Sequence, residues 1–203
     1  SGEGATKNFW ALDLAKRGAA DFGWVTLPPW DGPARTHLLA SVQNDGATDC
    51  LYIFSGRMMD SDGRWHMLSD AHKFNPKSGE WKKIHDIQLS GDARPRCVMA
   101  GTVVPIGANH LLVFGGANGK RFITLTGLGE QIAAAEAAGN AEAAATLKAE
   151  QQSILDNHVG FSRDVLLYNA VTDRWTRFTG FTEGSRSATA PGITERVAIG
   201  SHV

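Results

Sequence analysis

Apolar residues recur along this chain in short runs closed by small ones, and two of the runs are near copies. Leu51-Tyr52-Ile53-Phe54 is closed by Ser55-Gly56, and Leu111-Leu112-Val113-Phe114 by Gly115-Gly116. Four apolar residues with β-branched and aromatic members, ended by a small pair, predict a buried strand running into a tight turn. A second signature follows each copy. Phe74 precedes Trp81, and Tyr168 precedes Trp175, by the same seven positions with a polar turn between them. A strand–turn–strand unit that recurs marks a repeat array.

The first complete unit reads as four antiparallel strands: Thr36 to Val42, Leu51 to Gly56, Ser69 to Asn75 and Glu80 to Ile84. Asn44-Asp45-Gly46 and Pro76-Lys77-Ser78-Gly79 serve as its hairpin turns. The second unit begins with a strand from Arg96 to Pro105, broken late by the proline. A strand from Asn109 to Phe114 follows, then Val165 to Asn169, then the strand of Trp175. Ahead of both, Phe9 to Leu14 and the strand of Trp24 read as the end of an earlier unit, with Gly18 to Gly23 as an inserted turn. After Trp175, Gly184-Ser185-Arg186-Ser187 opens a further unit. The expected limits are about 1–27 for the partial first unit, 33–85 and 94–178 for the full ones, and 184–203 for the last.

Four antiparallel strands closed by Trp81 make one propeller blade, and kelch-type blades run to about 50 residues. The predicted fold is therefore all-β, a kelch-type β-propeller to which this chain contributes about three blades. Since propellers close with about four to eight blades, the remaining blades are expected from the rest of the polypeptide or from a second chain. Trp24 to Trp81 spans 57 residues and Trp81 to Trp175 spans 94, which places an insertion of about 37 in the second unit. It is Ala-rich and reads as two short helices within about 128–157. The first runs from Glu130 to Ala138 and stops at Gly139; the second is capped by Asn140 and runs to about Asp156. Leu147 and Ile154 would give the second helix a packing face. A loop of this length in a compact domain is expected to act as a lid or binding surface.

Composition narrows the function classes more than it identifies one. A formal net charge of −1 gives no electrostatic reason to expect nucleic acid as a partner. No apolar run approaches the roughly 20 residues of a membrane helix. The seven histidines show no metal-ligand spacing, so neither a metal nor another cofactor is expected. Cys50 and Cys97 read as two buried thiols, with a disulfide possible only if the fold brings them together. No nucleophile motif or phosphate loop is visible.

The candidate chemistry lies at the junction before each first strand. Arg35, Thr36 and His37 stand there in one unit, Arg94 and Arg96 in the next, and Arg186 and Ser187 in the last. Arg57 and Lys120-Arg121 follow the small-residue pairs. Guanidinium groups around one channel mouth would attract a carboxylate or phosphate, which they bind bidentately. The same arginines could instead brace blade against blade, and the sequence leaves both roles open. The substrate-binding candidates are Arg35, His37, Arg57, Arg96 and Arg186.

With these units in place, the sequence resembles the N-acetylneuraminate epimerase (sialic acid mutarotase) family. The resemblance rests on Trp24-Val25-Thr26-Leu27 followed by Gly32-Pro33-Ala34-Arg35, on Asp70-Ala71-His72-Lys73-Phe74-Asn75-Pro76-Lys77 closed by Trp81, and on a helical insertion between Gly115-Gly116-Ala117-Asn118 and Leu166-Leu167-Tyr168. It implies a six-bladed ring and a sugar-ring isomerase that interconverts the anomers of an acidic sugar, N-acetylneuraminate, in a periplasmic or secreted setting. The family's proposed catalytic Glu ends a strand that would begin near His202-Val203, so no residue here inherits that role, and this segment alone is expected to be inactive. A non-catalytic kelch propeller that binds a carbohydrate or a protein is the alternative.

Overall fold

The computed structural model describes residues 4–180, and within them the chain is mostly antiparallel β-sheet with one helical hairpin. Strands β1 (Phe9–Leu12) and β2 (Trp24–Leu27) pair as a two-stranded sheet. The first four-stranded sheet holds β3 (Leu39–Asn44), β4 (Asp49–Met59), β5 (Trp65–Asn75) and β6 (Glu80–Ile84) in sequence order. The second holds β7 (Met99–Ile106), β8 (His110–Ala117), β9 (Asp164–Asn169) and β10 (Arg174–Gly180), again as a meander. Helices α1 (Lys120–Ala137) and α2 (Ala141–Asp156) separate β8 from β9. The expected last unit, 184–203, lies outside the described residues.

The repeated aromatic spacing becomes a cross-strand pair in every sheet. Phe74 faces Trp81 and Tyr168 faces Trp175, while Leu12 faces Trp24 across the longer connection. That connection is not a glycine turn alone. Asp13 leaves β1 and accepts a hydrogen bond from the Ala15 amide, which starts a short 3-10 helix at Leu14–Lys16. Both closing tryptophans of the four-stranded sheets also reach backward in sequence. The indole N–H of Trp81 donates to the carbonyl of Pro28, and that of Trp175 to the carbonyl of His85. Each acceptor is the residue immediately after the last strand of the preceding sheet.

The two four-stranded sheets share one core. β3 runs beside β7, and Tyr52, Phe54, Leu111, Val113 and Tyr168 are completely or almost completely buried between the sheets. Such alternating burial follows from the period of two in a strand. At one edge of the interface Gln43 donates to the His110 carbonyl and Asn109 to the Asn44 carbonyl. Phe9 carries the two-stranded sheet onto the first, with its ring 5.0 Å from Phe74 and 5.3 Å from Trp81.

Several expected boundaries move. Ser55-Gly56 does not end its strand: it is a bulge, with φ of 58° and 108° and a register shift against β5, after which β4 continues to Met59. Only glycine fits the second bulge position, because a Cβ there would lie 2.7 Å from the Thr36 carbonyl oxygen. β5 accordingly starts at Trp65 rather than Ser69. β3 starts at Leu39 rather than Thr36, which keeps one isolated bridge to Arg57. Pro105 stays within β7, opposite Leu111, rather than breaking it.

The larger correction is α1, which begins ten residues before Glu130. Gly127 and Gly129 argue against helix by about 1 kcal/mol each. Leu128 and Ile132, buried in the hairpin, outweigh that cost. The second helix matches its expected start. Asn140 accepts from the Ala143 amide, and Gly139 turns the chain at φ 70°. Asn140→Ala is expected to destabilise α2 by about 1 kcal/mol. The check is faster amide exchange over the first turn of α2 with unchanged exchange in β4.

Neither cysteine is bonded. Cys50 is buried and Cys97 half-buried, so the expected pair of buried thiols is complete only for the first.

Candidate functional site

Antiparallel order sorts the connections of both sheets onto two opposite rims. The tight turns after β3, β5, β7 and β9 lie on one. The junctions leading into β3 and β7, the far ends of β4 and β5, and the helical insertion lie on the other. The candidate residues of both units therefore share a rim because their strands begin there.

Beyond the bulge, β4 and β5 project past the sheet as a two-stranded tongue. Arg57 stands opposite Met67 on it, and Met59 opposite Trp65, so Arg57, Met67 and Trp65 share one face. The first turn of α1 lies on that face. Gly119, at φ 80°, sits so close over Met67 that a Cβ would fall 2.0 Å from its sulfur. Phe122 meets Trp65 edge-on at 5.0 Å, and the Arg57 guanidinium lies 3.8 Å from the Phe122 ring and 4.8 Å from the Trp65 ring.

A cavity of about 960 Å³ opens between the start of α1, the rim of the second sheet and the 158–162 segment. That volume suits a small molecule. Its charged lining is Arg94, Arg96, Lys120 and Arg121 against Asp164, with His158 beside them. Arg121 donates to the carbonyls of Ile154 and Leu155, which ties the first turn of α1 to the last turn of α2.

The five sequence candidates fall into different settings. The Arg35 side chain is fully buried and grips Asp70 with two nitrogens, at 2.7 and 2.6 Å, while also donating to the Ser55 carbonyl. Burial pushes the Asp70 carboxyl up, but hydrogen bonds from His72 and Arg35 outweigh it and hold the group far below the usual carboxylate range. This arrangement braces the first sheet. His37 takes a positive φ of 57°, and its carbonyl accepts from the Ala100 amide at 3.0 Å, joining the rim ends of the two units.

Arg96 reaches the cavity but is held by Asp92 and Asp164, and Arg177 adds a second hold on Asp164. The hydrogen bond from Arg96 brings Asp92 down to about 2. Arg57 has the aromatic setting just described and lies next to the cavity residues Met67 and Phe122. Arg186 lies outside the described residues.

Sequence reasoning missed Phe122, Trp65 and Met67, which bring the insertion onto the tongue. Leu125, Leu128 and Ile132 follow Phe122 at helical spacing and carried the available signal.

The sequence pattern of the N-acetylneuraminate epimerase family matches residues 2–197. The chain belongs to the N-acetylneuraminate epimerase family. The N-acetylneuraminate epimerases of Shigella sonnei (strain Ss046) and Escherichia coli (strain K12) are each 32% identical to it over 104 residues, which are 51% of this chain and 25% of each relative. The solved structure of YjhT superposes with a TM-score of 0.60 at 20% sequence identity, over 87% of this chain and 46% of that one. The fold is thus shared with YjhT, and the chain spans less than half of it. Among the described residues, no helix is long and apolar enough to cross a membrane.

Proposed function

We propose that the whole protein is a sugar-ring isomerase that interconverts the anomers of N-acetylneuraminate, and that this chain contributes about three blades of its six-bladed kelch-type ring. The carrying observation is the family match across residues 2–197, which meets a cationic cavity of small-molecule size on the rim where the candidate residues gather. Opening the sugar ring requires a base for the anomeric hydroxyl proton and an acid for the ring oxygen, with a cation to hold the substrate carboxylate. The described lining supplies cations. Its one carboxylate, Asp164, is occupied by Arg96 and Arg177.

This segment is therefore assigned the binding of the acidic sugar, with the proton-transfer groups elsewhere in the whole protein. Arg57 and Arg96 face the substrate side of the rim in this reading, Arg35 and His37 fix the rim's shape, and Arg186 joins from the following unit. The family resemblance also supports a periplasmic or secreted setting.

The same lack of an unoccupied carboxylate among the described lining residues favours a second reading, a propeller that binds a carbohydrate or protein without chemistry. Exchange NMR separates the two. With the full-length protein, α and β anomers of N-acetylneuraminate are expected to interconvert well above the spontaneous rate. Interconversion at the spontaneous rate removes the enzyme reading.

A further inference from the structure

Arg57 is set apart from the paired arginines of this rim, and from the exposed Arg94, by what surrounds it. Arg35 has Asp70, Arg96 has Asp92 and Asp164, Arg177 has Asp164, and Arg121 has the carbonyl end of α2. The Arg57 side chain has no carboxylate or carbonyl partner among the described residues, and its Nε is buried without a hydrogen bond. Burial alone lowers its pKa, with no charged neighbour contributing. What holds the guanidinium is the corner formed by two rings that meet edge-on, Trp65 from β5 and Phe122 from α1. Ring faces attract a cation and fix its plane, but they leave its N–H donors unused.

A half-buried guanidinium, seated against two rings with its Nε–H out of water's reach and no counter-ion, is prepared for a planar anion. It stands beside the cavity, since Met67 across the ladder and Phe122 above it both line that space. We propose that Arg57 receives the carboxylate of the ligand, and that the helical insertion determines specificity by presenting Phe122 as the clamp that orients it. The insertion thereby selects acidic over neutral sugars. This deepens the proposed function and rests on it for the identity of the sugar.

The test uses full-length protein and two probes, the methyl glycoside of N-acetylneuraminate and its neutral methyl ester. The acid is expected to bind about tenfold or more tighter than the ester, as a charge-assisted bidentate contact requires. Arg57→Gln abolishes that preference while ester binding holds, and Phe122→Leu reduces it. Equal losses for acid and ester overturn the proposal, as does a wild-type protein without preference. The Arg57 Nε–H resonance gives a reading that needs no variant. It is expected to shift on titration with the acid and to stay in place with the ester. If neither sugar binds, acetate is titrated against the same resonance: a shift retains the anion site and removes the sialic acid reading, and no shift removes both.

Discussion

Replacing Asp70 with alanine is expected to lower the stability of the protein by about 3–5 kcal/mol, the cost of leaving a buried charge without its partner. The Arg35 side chain has no exposed surface and spends two donors on Asp70, so removal of the carboxylate leaves a buried guanidinium without its counter-ion. Urea unfolding at pH 7 is the measurement, and an unshifted midpoint would contradict the geometry. The pair also sets a pH dependence. The folded-state pKa of Asp70 lies below its unfolded value of about 3.9. Its contribution is therefore complete above that value and declines as pH falls toward the folded pKa. The wild-type midpoint should drop below about pH 4 more steeply than that of the Asp70→Ala variant.

Phe54→Ala is the second large effect, expected at about 3–5 kcal/mol. Phe54 is fully buried in β4, yet its aromatic neighbours include Tyr168 at 5.6 Å and Trp175 at 5.3 Å, both in the second sheet. Truncation opens a void in the core that the two sheets share. Both should therefore lose stability together, seen as one earlier transition by Trp fluorescence and by amide exchange in β4 and β9. Phe178→Ala removes the same ring from a position that is 57% exposed and should change stability by no more than about 0.5 kcal/mol. Comparable effects for the two variants would show that the core is not shared as described.

The legible part of this fold was whatever repeats with a fixed strand period. The pairing of Phe74 with Trp81 and of Tyr168 with Trp175 could be read ahead because residues flanking a hairpin turn must face each other. In sequence, a small pair such as Ser55-Gly56 serves equally as a strand end or as a bulge. Only the backbone of Thr36, pressed against Gly56, distinguishes them. The start of α1 was hidden for a similar reason: its two glycines are local penalties, whereas the buried contacts of the hairpin are tertiary. At the site, the junction arginines were found but their roles were not. Asp70 lies 35 residues from Arg35, and Phe122 is still further from Arg57, so nothing local separates a guanidinium held by a carboxylate from one held by rings.

The indole hydrogen bonds of Trp81 and Trp175 bear on how the protein is made. In both, the acceptor carbonyl precedes the donor in the chain, Pro28 before Trp81 and His85 before Trp175. A ribosome therefore always delivers the docking point before the group that docks. Each emerging sheet finds its predecessor already present, and assembly can advance from the N-terminus one unit at a time. The helical hairpin delays the second of these steps, because β9 and Trp175 emerge only after α1 and α2 have been synthesised.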